Sequence, residues 1–129
     1  METILLIGLG GFIGANVRYW LSGWIAGQFA PTTLRHFPLG TLVINVTGSA
    51  LLAAFIAWTL KRADVTPQVK LFIATGFFGG YTTFSTFATE SIALIQAGNW
   101  ISGLTNIIGT NLLALVGVVI GLAVGSRLA

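Results

Sequence analysis

The stretch GGYTTFSTF, Gly79 to Phe87, interrupts a long hydrophobic run with two glycines and four Ser/Thr hydroxyls. Hydrocarbon offers no partner to such groups, so each must find one within protein. The run that contains them, Val69 to Gln96, is longer than the about 20 apolar residues that cross a bilayer. Gly79 and Gly80 at its centre permit a break that bares peptide carbonyls and amides. Irregular backbone persists at membrane depth only where protein buries it or where it lines a cavity. Bared carbonyls can hold a small hard cation, for which oxygen is the preferred ligand. Beyond the break, helical spacing sorts the side chains onto two adjacent stripes. Phe84 and Phe87 form one; Thr83, Thr86 and Glu90 form the other. Aromatic rings carry a positive edge, so phenyl edges with hydroxyl donors beside them can line an anion path. The alternative is a kinked packing helix bridged by threonines.

The rest of the chain agrees with a membrane setting. Of 129 residues, 55% are hydrophobic and 7% charged, whereas a soluble domain carries roughly 25% charged residues. A water-facing surface cannot be built from so few, and the length allows one domain, residues 1–129. Four spans are expected: Thr3 to Trp24, Leu39 to Leu60, Val69 to Gln96 and Trp100 to Val124. The breakers between them agree, with Pro31 and Pro38 in QFAPTTLRHFPLG, Pro67 closing KRADVTP, and Gly98–Asn99 in QAGNW. Trp20, Trp24, Trp58 and Trp100 lie near the expected ends, as an interfacial aromatic belt requires. The chain thus reads as an all-α membrane protein whose third helix is broken at mid-span.

The six basic residues are scattered, which is unlike a nucleic-acid face. With four spans, Lys61, Arg62, Lys70 and Arg127 fall on one side; Arg35, with Arg18 if it snorkels, falls on the other. Four against two is a weak positive-inside bias. Insertion in both orientations and a single orientation with the four-charge side in the cytoplasm both stay open. The chain has no cysteine, which excludes thiol and disulfide chemistry. METILLIGLGG lacks a basic leader and runs into a helix-length segment, so it reads as retained.

Other motifs have two readings each. GLGGFIG, Gly8 to Gly14, fails as a dinucleotide fingerprint, because Ile13 takes the third glycine's place and no strand–helix–strand unit surrounds it. Gly10, Gly14 and Arg18 instead recur every four residues on one face, which suits close helix packing. Arg18 is either an interface anchor or a cation beside a water-filled entry that concentrates anions. Asn45, with Thr41 and Gly48 on its face, either joins helices or turns its N–H donors to a pore. NVT at Asn45–Thr47 matches a glycosylation sequon but lies inside a span. The lone His36 has no metal-ligand partners at useful spacing, and nothing supports an enzyme.

GGYTTFSTF followed by Glu90, GTLVINVTG at Gly40–Gly48 and GxxxR at Gly14–Arg18 together resemble the Fluc (CrcB) fluoride channels over nearly the whole chain. The resemblance implies a passive fluoride channel in the cell membrane, built as an antiparallel, dual-topology homodimer with two pores. It implies a structural Na+ at the dimer centre, held by the main-chain carbonyls of Gly79 and Thr82 from both subunits. Phe84 and Phe87 would line the fluoride paths and Asn45 would point at them. Thr83, Ser85 and Thr86 fall in the hydroxyl cluster, Glu90 extends a polar track, and Arg18 matches a vestibule arginine. One departure stands out: Leu113 to Gly125 has no Ser or Thr, which leaves Asn106, Thr110 and Asn111 on the fourth helix, of which Thr110 is expected on the pore side. Against a small multidrug transporter, which needs a membrane-embedded carboxylate in its first helix, the only candidate is Glu2 at the extreme end. A purely structural subunit is a further rival.

Overall fold

A computed structural model describes residues 1–129, all of them helix, turn or loop. Three helices are each long and apolar enough to cross a membrane: α1 (Glu2–Phe29), α2 (Leu39–Thr59) and α5 (Trp100–Leu128). The remaining crossing is built in pieces. Its first half, α3, joins Pro67–Lys70, a wide π-type stretch at Leu71–Phe78, and Gly79–Tyr81; its second half is α4 (Phe84–Gln96). Four membrane crossings, the third of them broken, account for the chain.

Helix ends follow local chemistry. Thr66 accepts a hydrogen bond from the Val69 N–H, and Pro67 occupies the first turn, where its missing N–H costs nothing. The third crossing therefore begins at Pro67 and not at Val69. Similarly, α1 continues five residues past Trp24 to Phe29, because nothing resists the helix until Pro31. With no breaker after Val124, α5 runs on to Leu128. Between α4 and α5 the chain reverses at Gly98, the only residue of positive φ (84°). The Asn99 N–H bonds to the Leu94 carbonyl and the Gly98 N–H to that of Ile95, both at 2.9–3.0 Å, the paired closure of a left-handed helix cap.

Packing is interleaved: α1 lies along α3, and α2 along α5. Glycines set both contacts. A Cβ on Gly10 or Gly14 would run into the carbonyls of Phe72 or Phe77 on α3, and one on Gly121 or Gly125 into those of Ala50 or Ala54 on α2. Backbone meets backbone at these points, the mode by which small residues join membrane helices. Only 22 of the 129 residues are buried, and Phe12, Trp20, Ile101 and Val119 are among many apolar side chains left bare. Such a surface needs lipid or another chain against it. At the α2–α3 turn, Arg62 grips Asp64 through two bonds of 3.0 and 3.2 Å and covers the Trp58 ring. The guanidinium holds the exposed Asp64 carboxyl below its usual range.

Candidate functional site at the broken third helix

The break lies at Thr82–Thr83, not at Gly79–Gly80. Both glycines stay helical, and the backbone turns extended only at Thr82 (φ −83°, ψ 157°) and Thr83 (φ −153°, ψ 110°). The sequence expectation fails here because β-branched residues are the ones at ease in extended backbone. Gly80 serves another need: a Cβ there would stand 2.5 Å from the Gly11 carbonyl of α1.

Asn45 holds the break open. Its Nδ2 donates to the Thr83 carbonyl (2.9 Å), and its Oδ1 accepts from the Thr83 N–H (2.8 Å). One side chain thus satisfies both backbone groups of a residue that has left the helix. Gly48, a turn further along α2, makes room for Thr82 and Tyr81. The Thr83 hydroxyl then caps α4 by accepting from the Thr86 N–H at 3.3 Å. Thr83 also donates to the Thr86 Oγ1 at 3.0 Å, which leaves the Thr86 proton free for another acceptor. Ser85 is exposed, and its Oγ lies 3.5 Å from that of Thr83.

The clamp also bears on the carbonyls that a cation would need. The N–H four residues beyond Gly79 is that of Thr83, and Asn45 has taken it. The Thr82 carbonyl accepts no backbone N–H either. Both oxygens are therefore available, and the donor set suits a hard monovalent ion. No cluster of three or more His, Asp or Glu exists to hold a transition metal.

Side chains around the break divide between two clefts. Asn45, Ser49, Phe84, Phe87 and Thr110 border one of about 280 Å³. Its two rings stand 5.5 Å apart, tilted at 50°; Phe87 is 5% exposed and Phe84 75%. Arg18, Ser22, Thr41, Thr83 and Thr86 border the other, of about 180 Å³. Arg18 is half-buried eleven residues before the end of α1, further from its end than the shorter expected helix would put it, and has no ion-pair partner. From this second cleft a further one, lined by Ser22, Thr41, Thr86 and Glu90, leads toward the α1–α2 loop. Thr41 donates to the Glu90 Oε1 (3.0 Å), while Oε2 is buried without a partner.

Sequence inspection assigns Asn106 no role and passes over Ser91. Asn106 is wholly buried and donates to the Ser91 hydroxyl (2.9 Å), which donates to the Phe87 carbonyl (2.7 Å). Thr110, the expected pore residue of the last helix, donates to the Asn106 Oδ1 at 3.0 Å, so its proton is turned away from the cleft it borders. The four-residue spacing of Asn106 and Thr110 is the signal that could have paired them; Ser91, on another helix, carries none.

Comparison with known proteins matches nearly the whole chain. The family model described as CrcB-like protein, Camphor Resistance (CrcB) matches residues 5–122. The chain is 44% identical over 118 residues to the fluoride-specific ion channel FluC of Koribacter versatilis, covering 92% of this chain and 90% of that one. It is 41% identical over 124 residues to a protein of the same name from Hydrogenobaculum sp., covering 96% and 98%. A Clostridium perfringens protein, also so named, is 41% identical over 117 residues, covering 91% and 88%.

Proposed function

The chain belongs to the CrcB family, whose members are ion channels and not enzymes, and from that premise we propose that it is a fluoride-selective channel that lets fluoride leave the cytoplasm passively across the cell membrane. The observation that carries this reading is the break at Thr82–Thr83, pinned by Asn45 between a phenylalanine pair and a cluster of hydroxyls.

Fluoride is small and holds its water tightly, so a narrow route must replace that water with fixed donors while binding weakly enough to release. Phe84 and Phe87 offer ring edges. Asn45 keeps one amide hydrogen beyond the bond to Thr83. Thr86 has its hydroxyl proton free, and Ser85 and Thr83 stand beside it. Thr110 forms wall and not donor, since its proton goes to Asn106. Arg18, unpaired on the second cleft, raises the local anion concentration, and the Thr41–Glu90 pair extends the polar track beyond Thr86.

The working unit in this reading is an antiparallel homodimer of two oppositely inserted copies, with two pores. Its support is the weak charge bias of the loops and the 75% exposure of Phe84, a pore-lining ring that one copy leaves uncovered. The carbonyls of Gly79 and Thr82 from both copies would hold a structural Na+, which would neutralise converging oxygens and add positive potential at the centre.

An electrode recording of fluoride released from loaded proteoliposomes, with chloride as control, tests the function. Fast, proton-independent fluoride efflux with chloride retained is the expected result. Proton-coupled uptake of cationic drugs, or no transport, refutes it.

A further inference from the structure

Three hydroxyl residues line the cleft beside the phenylalanine pair, and two of them have no proton to give. Thr82 donates to the Phe78 carbonyl at 2.9 Å and Thr110 to the Asn106 Oδ1 at 3.0 Å. The third is Ser49 on α2. Hydroxyls in these helices turn back onto the carbonyl four residues earlier, as Thr47 does on Val43, Thr89 on Ser85 and Ser91 on Phe87. Ser49 makes no such bond. Among buried side-chain polar atoms only the Glu90 Oε2 lacks a partner, so the unbonded Oγ of the half-buried Ser49 is open to the cleft.

Ser49 follows Asn45 by four residues, so the two share one face of α2, roughly 6 Å apart along its axis. Asn45 keeps one N–H for the cleft, and Phe84 and Phe87 border the same space. Past Ser49 the walls turn apolar. On α2 no hydroxyl or amide side chain occurs from Ala50 to Trp58, and on α5 no Ser or Thr occurs from Leu113 to Gly125. The exposed Asn111, also of α5, gives one amide hydrogen to the Ile107 carbonyl. An ion leaving the rings in this direction therefore meets one uncommitted hydroxyl proton, and it belongs to α2.

We propose that Ser49 is a further fluoride-binding residue, whose hydroxyl takes over from Asn45 as the ion leaves the ring pair and supplies from α2 the donor that α5 lacks. The inference rests on the fluoride-channel reading. A small anion loses more hydration than a large one on entering an apolar passage, so a donor at this step matters most for fluoride. The hydroxyl rotates to suit its partner, and a single neutral donor also releases what it binds, as conduction requires.

The test is fluoride flux through proteoliposomes at sub-saturating fluoride, read beside thermal unfolding in detergent. Ser49→Ala should lower flux about 10-fold, as loss of one hydrogen bond to an ion does, with its melting curve unchanged. Ser49→Thr restores the hydroxyl and should recover most of the flux; Ser49→Val, of the same shape without the hydroxyl, should not. Because the chain has no cysteine, Ser49→Cys places a single thiol at this position. A water-soluble methanethiosulfonate should modify that thiol, and saturating fluoride should slow the reaction where equal chloride does not. Wild-type flux in Ser49→Ala overturns the inference, and so do equal fluxes in Ser49→Thr and Ser49→Val. A thiol that the reagent does not reach also overturns it, since the side chain then faces lipid or a second copy. In each of these cases robust wild-type fluoride flux leaves the channel reading standing; absence of any wild-type flux removes both.

Discussion

Asn45 joins two helices and keeps one N–H for the cleft, so its replacement separates two effects. Asn45→Leu strips the Thr83 N–H and carbonyl of their partners at membrane depth. Hydrogen bonds between membrane helices average about 0.6 kcal/mol, and leaving buried groups unpaired costs about 1–3 kcal/mol. A loss near 2 kcal/mol in a detergent or lipid unfolding assay is expected, together with loss of flux. Asn45→Asp keeps the acceptor for the Thr83 N–H but loses the donor and adds negative charge on the route, so its flux should fall further than its stability. The two phenylalanines differ in a similar way. Phe84→Ile and Phe87→Ile should both cut fluoride flux in liposomes and leave the proposed dimer intact by gel filtration. Only Phe87→Ile, at a 5% exposed position, should also cost about 1 kcal/mol of stability. Wild-type flux in both would refute the assigned lining. At this scale the sequence showed which side chains are polar in an apolar run but not how their protons are shared. That Thr110 donates inward to Asn106, and Asn106 onward to Ser91, depends on how α4 and α5 meet.

Among the elements, the broken crossing was legible as a break and misplaced by three residues. Glycine permits irregular backbone without demanding it. At Gly79–Gly80 the competing demand was contact: Gly80 lies against the Gly11 carbonyl, whereas the space above Gly79 is open. A paired substitution exposes the difference. Gly80→Ala should destabilise the packing of α1 on α3 and reduce the yield of folded protein. Gly79→Ala should leave the fold of one chain intact, and any damage it does should appear as loss of the proposed dimer in a cross-linking assay. Gly98→Ala is a third case, since φ of 84° costs an L-residue about 1 kcal/mol; a thermal melt should register it without a change in flux. The existence of four crossings was readable because apolar run length and proline are local signals. Their ends moved by up to five residues, because helices continue until something stops them and the terminal residues of α1 and α5 offer no obstacle.

For the whole molecule, the measure that matters is how little of it is covered. With 22 of 129 residues buried, one copy leaves Phe84 and most of the outer helix faces to their surroundings. A second copy on the Phe84 side is expected to give a particle of about twice the 13.6 kDa chain mass by multi-angle scattering, after correction for detergent. Exchange of Na+ for a bulky organic cation during purification should weaken that particle if the Gly79 and Thr82 oxygens converge on the ion, because unneutralised carbonyls repel. A dimer indifferent to the exchange would dismiss the ion. Neither the partner nor its orientation is written in local pattern; the loop charges only leave both insertions open.

The alternation of partners has a bearing on how the molecule is made. Since α1 rests chiefly on α3 and α2 chiefly on α5, neither of the first two segments to emerge from the ribosome finds its main partner in the next one. The first waits for the third, and the second waits until the last has been synthesised. A chain stopped after Gly98 would hold the second segment in the bilayer with its companion missing, an orphan that quality-control proteases can recognise.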